Sequence, residues 1–371
     1  MIPVSRPSIG ERELRAVERV FSTGWLGMGS EVDRFEHMLC QFLEAGHAVA
    51  VCNGTGALFL ALHAAGLGPG DEVLVPSLTY VASVQAITAT GAVPVFCDIR
   101  EEDLNIDLED AKRRLTPRTR VILPVHFRGV PCDMDGVLDL ASENGLRIVE
   151  DAAHAFGSFY GERRVGSFGD LTCFSFDPIK VITCGEGGAV VTSDPAIVEL
   201  MQQKRILGID RDTLSRYRNS RSWVYDVLTQ GYRLHMSNIN AAIGIVQLER
   251  FDELRESRSR IARAYDRGLS GMRRISLIPA DYDRVSLFMY IVRVHEDRDG
   301  LMEFMKERGI GTGIHYIPAH TFSFYRRSGF RLPVTERVYE EMLTLPLYSD
   351  MTEKETLTVI DALEEWDRGR V

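Results

Sequence analysis

The chain has 371 residues, of which 45% are hydrophobic and 26% charged, a composition typical of a globular protein with a substantial core. Its formal net charge of -10 disfavours general binding to nucleic acid or to acidic membranes, because both need a basic surface. The N-terminus has no signal-like apolar core, and no apolar run is long enough to span a bilayer. The six cysteines form no CxxC pair, so we expect reduced thiols, no metal site and a cytoplasmic protein.

The first half of the chain predicts helices and strands in alternation. Residues 11–22 predict an amphipathic helix with Leu14, Val17 and Phe21 on one side, and a second helix follows at residues 31–44. Strands are then predicted at residues 48–52, 72–75, 93–96, 121–125, 147–150 and 189–192, and helices at residues 57–65, 79–90, 108–115, 134–144 and 195–204. Because brief Gly/Pro turns join these elements, we expect an α/β fold with a mostly parallel sheet covered by helices.

The second half predicts a smaller unit of mixed character. Residues 205–230 show no clear periodicity and predict a long excursion, and a long helix is expected from Ser237 toward Tyr265. Strands are then predicted at residues 274–278, 287–294 and 312–316, and helices at residues 301–308, 335–343 and 354–366. We therefore predict a large domain at residues 1–251 and a small C-terminal α+β domain at residues 252–371.

Two polar features are predicted at the carboxyl edge of the sheet. The turn Asn53-Gly54-Thr55-Gly56 joins a strand to the start of a helix. The backbone N–H groups at such a helix start form an anion site, and phosphate is its commonest ligand. A purely steric need for glycine at this turn is the alternative, and the sequence leaves both open. Asp151 follows the strand at residues 147–150, and ligands of open α/β sheets bind beyond such strand ends.

One lysine, Lys180, lies in the apolar and glycine-rich stretch TCFSFDPIKVITCGEGGAVVT. A lysine that is fixed and partly desolvated there is more readily neutral and can form a Schiff base with a carbonyl. A surface lysine beside a hairpin is the alternative. Pyridoxal 5′-phosphate (PLP) requires the set that is formed by Lys180, the anion site at the glycine turn, Asp151 and the aromatic Tyr80. They supply an amine for its aldehyde, a seat for its phosphate, a carboxylate for its pyridine nitrogen and a ring to stack on it.

The sequence resembles the DegT/DnrJ/StrS sugar aminotransferases, a branch of the fold-type I PLP enzymes, nearly from end to end. The most specific matches are SFDPIKVITCGEGG at residues 175–188 and VEDAA at residues 149–153. The resemblance implies a large domain with a seven-stranded sheet and PLP, or its amine form PMP, as the cofactor. It also implies glutamate as the amino donor, a nucleotide-linked keto sugar as the acceptor and a homodimer with shared active sites.

Carried over position by position, the resemblance implies a role for each cofactor residue. Lys180 is expected to hold the cofactor and to carry a proton, Asp151 to pair with the pyridine nitrogen and Tyr80 to stack on the ring. Phosphate contacts are implied for Gly54, Thr55, Gly56, Ser175 and, from the partner subunit, Asn238. His154 stands where the family commonly has glutamine, and it is expected to donate to the phenolic oxygen of the cofactor.

Substrate contacts are less specific in the sequence, and packing or a solvated face is the alternative for each. The candidates are Trp25, Arg205, Arg211, His315, Tyr316 and His320. Arginine suits a diphosphate because its planar fork binds two oxygens at once. The run Arg233-Leu234-His235 departs from the asparagine, aromatic and arginine common in the family, so the family's substrate contacts there are not transferred.

Lys180 also separates the rival activities. Family members that act as dehydratases replace this lysine with histidine, so its presence favours transamination. Another PLP reaction on the same fold, such as dehydration or elimination, remains an alternative. A non-catalytic regulatory descendant is the second alternative, and the retention of Lys180, Asp151 and the glycine turn argues against it.

Overall fold

A computed structural model describes residues 1–209, 225–328 and 330–369. The helices are α1 (Glu11–Thr23), α2 (Ser30–Leu43), α3 (Gly54–Ala64), α4 (Val81–Ala89), α5 (Leu108–Arg113), α6 (Met134–Asn144), α7 (Pro195–Lys204), α8 (Asn238–Glu249), α9 (Phe251–Leu269), α10 (Arg298–Glu307), α11 (Pro333–Glu341) and α12 (Glu353–Arg368). The strands are β1 (His47–Val51), β2 (Glu72–Pro76), β3 (Val93–Cys97), β4 (Thr119–Ile122), β5 (Arg147–Asp151), β6 (Phe159–Tyr160), β7 (Arg163–Arg164), β8 (Leu171–Ser175), β9 (Gly188–Thr192), β10 (Ile275–Leu277), β11 (Tyr290–Val294) and β12 (Met342–Leu345).

A seven-stranded sheet in the order β1-β9-β8-β5-β4-β2-β3 forms the centre of the large unit. The strands from β8 to β3 pair in parallel, whereas β9 is antiparallel to both of its neighbours. Apolar side chains on both faces of this sheet are buried under helices. This confirms the predicted α/β fold and brings the carboxyl ends of β1, β2, β4, β5 and β8 to one edge.

The smaller unit is built on the antiparallel sheet β10-β11-β12. Its core combines this sheet with apolar residues of α9, α10 and α12. We propose a boundary between the units at residues 251 and 252, in the first turn of α9. Among the helices of the described ranges, none combines the length and the apolar character that crossing a bilayer requires.

Two predicted elements of the C-terminal half were wrong. The helix expected from Ser237 toward Tyr265 is divided at Arg250 into α8 and α9. The strand expected at residues 312–316 is absent from the described residues there, where Gly313 makes only an isolated bridge to Thr344. The third strand is β12 instead, because pairing with β11 in a buried sheet outweighs the helical spacing of its side chains.

Helix α1 forms as predicted, but its apolar side does not face the core of this chain. Leu14 and Phe21 are 53% and 59% exposed, whereas Ala16 and Val20 are buried against α8. The carboxylate of Glu13 is also buried, and hydrogen bonds from Gln247 and Arg250 compensate for its lost hydration. The exposed apolar side of α1 is therefore available to another surface.

Candidate active site

Asp151 ends β5 and is nearly fully buried. Its Oδ2 accepts a hydrogen bond from Ser83 Oγ at 2.6 Å, and its Oδ1 accepts one from the N–H of Ala153 at 3.1 Å. Burial raises the pKa of Asp151, although both hydrogen bonds and the charge of Lys180 act in the opposite direction. Asp151 makes no ion pair with any residue that the structure describes, so a cationic ring nitrogen would compensate its buried charge.

Lys180 lies in the connection between β8 and β9, on the same edge of the sheet. Its Nζ is 4.0 Å from the ring centroid of Phe288. Burial lowers the pKa of Lys180 to about 8, and the carboxylates of Asp177 and Asp151 counteract part of this shift. About a tenth of this amine is therefore neutral at pH 7, and this is the form that attacks an aldehyde.

The glycine turn after β1 is closed onto the end of β8. Helix α3 begins at Gly54, earlier than predicted, and Asn53 Oδ1 caps it by accepting from the N–H of Gly56 at 2.7 Å. A Cβ atom on Gly54 would lie 2.6 Å from Ser175 Cβ, so only glycine fits this contact. The positive end of α3 and the hydroxyl of Ser175 thus meet in one place, which is suited to a phosphate.

These groups line one cavity of about 450 Å³. Its lining contains Lys180 and every predicted cofactor residue except Gly56 and Asn238. The N–H of Gly56 is already used by Asn53. Tyr80 precedes α4 and remains 55% exposed, with its ring centroid 5.4 Å from that of Tyr316. The cavity is thus open beside Tyr80 and buried near Asp151.

His154 lies deep in the same cavity and is held by aromatic rings. Its imidazole stacks on Phe288 with centroids 4.5 Å apart, and its Nε2 is 3.2 Å from the hydroxyl oxygen of Tyr316. Its Nδ1 is buried and has no hydrogen-bond partner among the described residues. Burial lowers the pKa of His154, as does the nearby charge of Lys180, so the ring is neutral.

Other predicted residues lie at or near the N-terminal segment and the cavity. Asn238 is buried, and its Nδ2 donates to the carbonyl of Trp25 at 3.2 Å. The indole N–H of Trp25 donates to the carbonyl of Met28 at 2.9 Å. His315 lines the cavity, with its Nδ1 2.9 Å from Thr344 Oγ1, and burial lowers its pKa to about 4.

Two substrate candidates have packing contacts outside the cavity, the alternative that the sequence left open. Arg205 is buried, forms an ion pair with Glu36 and donates to the carbonyl of Ala50 at 2.9 Å. His320 is buried between Ser77 Oγ at 2.7 Å and Glu336 Oε1 at 3.2 Å. Arg211 lies outside the described residues.

Phe288 and Ser83 were missed by sequence reasoning. Phe288 contacts both Lys180 and His154, yet it precedes β11, far away in the chain, and nothing in its sequence context marks that role. Ser83 orients Asp151 from α4, and Thr79 Oγ1 in turn lies 2.8 Å from Ser83 Oγ. The only sequence signal for Ser83 and Thr79 was that they lie in the same segment of chain as Tyr80.

The residues present fit PLP on three observations. Gly54 has no room for a Cβ beside Ser175, Asp151 is buried without an ion-pair partner among the described residues, and His154 Nδ1 is unpartnered there. When bound, PLP supplies an aldehyde that captures amines and a ring that accepts electrons. The sheet order and this site define the class of fold-type I PLP-dependent enzymes.

Comparisons with known proteins agree with that class. Residues 7–364 match the sequence profile of the DegT/DnrJ/EryC1/StrS aminotransferase family. The spore coat polysaccharide biosynthesis protein SpsC of Bacillus subtilis (strain 168) is 38% identical over 381 residues, which cover 99% of this chain and 97% of SpsC.

Solved structures give the same result. S. venezuelae DesV, in complex with a ketimine intermediate, superposes with a TM-score of 0.89 at 38% identity, covering 97% of this chain and 95% of DesV. Spr1654 of Streptococcus pneumoniae in its PLP form superposes with a TM-score of 0.92 at 30% identity, covering 99% of each chain. The chain therefore belongs to the DegT/DnrJ/EryC1/StrS aminotransferase family, and it is a PLP-dependent sugar aminotransferase.

Proposed function

We propose that this enzyme transfers the amino group of glutamate to a nucleotide-linked keto sugar and thereby makes an amino sugar for a polysaccharide. The family membership and the similarity to SpsC, whose name refers to spore coat polysaccharide biosynthesis, support this proposal. We further propose that it acts in the cytoplasm, in keeping with its six free cysteines.

The observation that carries the proposal is the pairing of a partly neutral Lys180 with a buried Asp151 in one cavity. Lys180 Nζ would hold the cofactor at rest and, once released, move a proton between the cofactor's C4′ and the substrate carbon. Asp151, oriented by Ser83, would keep the pyridine nitrogen protonated. Ser175 and the N-terminus of α3 would hold the phosphate, and Tyr80 would cover the ring at the open side.

The function is tested by incubating the purified, PLP-loaded protein with glutamate and a panel of nucleotide-linked keto sugars. We expect 2-oxoglutarate and an amino sugar in equal amounts with at least one panel member. The same assay with Lys180→Ala sets the background. A deoxygenated sugar without nitrogen incorporation would contradict the proposal and establish the dehydratase alternative.

We also propose a homodimer in which Asn238 reaches the phosphate of the partner's cofactor. Asn238 does not line the cavity of its own chain, and its backbone N–H donates to the carbonyl of Leu26 at 3.1 Å. Leu26, Leu14 and Phe21 are 41%, 53% and 59% exposed, so a second copy would cover these apolar side chains. Asn238 is buried in its own chain, so its side chain would exchange the bond to the Trp25 carbonyl for the partner's phosphate.

Mixed dimers test this sharing of sites. In a dimer of one Lys180→Ala chain and one Asn238→Ala chain, one site would contain both native residues. We therefore expect the mixture to be more active than the weighted mean of the two variants. Activity equal to the weighted mean of the two variants would contradict the shared site.

A further inference from the structure

His154 has two ring nitrogens in different situations, although the whole side chain is only 5% exposed. Nε2 lies 3.2 Å from the hydroxyl oxygen of Tyr316, whereas Nδ1 is buried without a hydrogen-bond partner among the described residues. The ring is fixed between the stacked face of Phe288 and the edge of Phe127, at centroid distances of 4.5 and 5.9 Å. A buried nitrogen without a partner costs free energy, so a ligand atom is expected to meet it.

Only one of the two nitrogens of a neutral imidazole carries a proton, and its hydrogen-bond partners decide which one. Burial raises the pKa of the Tyr316 hydroxyl, so this group stays protonated and able to donate. An imidazole nitrogen is a good acceptor for a phenolic O–H. When Tyr316 donates to Nε2, the proton of His154 must be on Nδ1.

We propose that Tyr316 donates to Nε2 of His154 and so keeps the imidazole proton on Nδ1, which donates it in a hydrogen bond to the phenolic oxygen of bound PLP. The inference rests on the proposed function, because it needs the cofactor linked to Lys180. It makes Tyr316 a positioning residue that acts through His154.

The proposal has a spectroscopic consequence. A donor from His154 would stabilise the anionic form of the phenolic oxygen of PLP. It would thereby lower the pKa of the nitrogen through which Lys180 would hold the cofactor. Loss of the donor is therefore expected to raise this pKa by about one unit, a tenfold change in the protonation equilibrium.

The test is a pH titration of the visible absorbance of the PLP-loaded protein. We compare the parent, Tyr316→Phe, His154→Gln and the double variant H154Q/Y316F. A glutamine amide always retains N–H donors and has no tautomers, so its ability to donate does not depend on a hydrogen bond from Tyr316. We expect Y316F to raise the midpoint in the parent and to leave it unchanged in the H154Q background.

Tyr265→Phe is the matched control, because it also removes a buried hydroxyl bond, to the carbonyl of Pro346 at 2.9 Å, but in the core of the smaller unit. We expect no shift of its midpoint. An unchanged midpoint in Y316F, or an equal shift in both backgrounds, would overturn the positioning role. A parent protein without any visible band would instead overturn the proposed function, so the two failures are distinguishable.

Discussion

Buried polar groups occur in two regions of this chain that differ in how fully the protein satisfies them. One region is the frame, by which we mean the buried polar pairs that pack around the central sheet, such as His126 with Glu150 and Arg205 with Glu36. There, His126 contacts Glu150 at 2.9 Å through Nε2 and accepts from the N–H of Cys132 at 3.0 Å. At the cavity, His154 has an unpartnered nitrogen among the described residues, and Asp151 has no ion-pair partner there. Both histidines follow neighbouring parallel strands, so position at the sheet edge alone does not separate a structural histidine from a functional one.

Buried polar groups that lack a protein partner therefore mark the site. A saturated pair stabilises the fold and needs no ligand, whereas a buried group that lacks a partner is stabilised when a ligand arrives. Changes in the frame should therefore lower stability and leave chemistry intact. Changes at the cavity should act mainly on cofactor binding and turnover.

The largest effect is expected in the frame, at the ion pair of Arg205 and Glu36, whose side chains are only 6% and 13% exposed. Arg205→Met leaves Glu36 as an uncompensated buried charge, which typically costs about 3–5 kcal/mol in the free energy of unfolding. Denaturant unfolding measures this loss, and the KM for the sugar is expected to stay unchanged at low temperature. Arg12→Met, at a largely exposed pair with Glu249, is the control and should cost at most about 1 kcal/mol. If Arg205→Met raised the KM for the sugar without lowering stability, Arg205 would be a substrate contact.

The next effect is at the cavity. Asp151→Asn keeps the shape of the side chain and removes its charge, so the pyridine nitrogen of the cofactor loses its electrostatic partner. We expect turnover to fall by about 10²–10³-fold, the usual cost of removing one preorganised electrostatic contact. Steady-state kinetics on the PLP-loaded variant measure the fall. A variant with parent turnover would show that the carboxylate does not act on the ring.

The sequence predicts those features of the structure that depend on interactions between residues close together in the chain. Local turns and periodicity predicted the α/β alternation, the Gly54 turn and Asp151 at a strand end, because each depends on neighbouring residues. The position of β12 and the contact of Phe288 with Lys180 depend on chain pairing over long separations. Arg205 was predicted to contact the substrate. The sequence does not show that the fold places Glu36 beside it, where the two side chains form an ion pair. The roles of Ser175 and His154 came from the family resemblance.

A smaller effect is expected from the phosphate cradle. Gly54→Ala places a Cβ about 2.6 Å from Ser175 Cβ, and the resulting overpacking typically costs about 1–3 kcal/mol. Since the displaced groups would hold the phosphate, we expect the Kd for PLP to rise by about tenfold or more. Equilibrium titration with PLP measures it. Gly68→Ala is the matched control, because a Cβ there meets no atom within 4 Å. Equal affinities in the two variants would argue against phosphate binding at this turn.

The smallest effect concerns pH. The pKa of Lys180 is lowered to about 8, and only the neutral amine attacks the aldehyde. The rate of PLP attachment to the cofactor-free protein should therefore rise with pH and level off above about 8, falling roughly tenfold per pH unit below that value. Stopped-flow absorbance measures the rate. A profile that levels off only above pH 10 would contradict a desolvated lysine.

The proposed function depends on a covalent link between Lys180 and PLP. Borohydride reduction of the PLP-loaded protein followed by peptide mass spectrometry tests it most directly, because reduction makes the link permanent. We expect one phosphopyridoxyl group per chain, on Lys180, and none in Lys180→Ala. A parent protein that carries no such group, or carries it on another lysine, would show that Lys180 does not hold the cofactor.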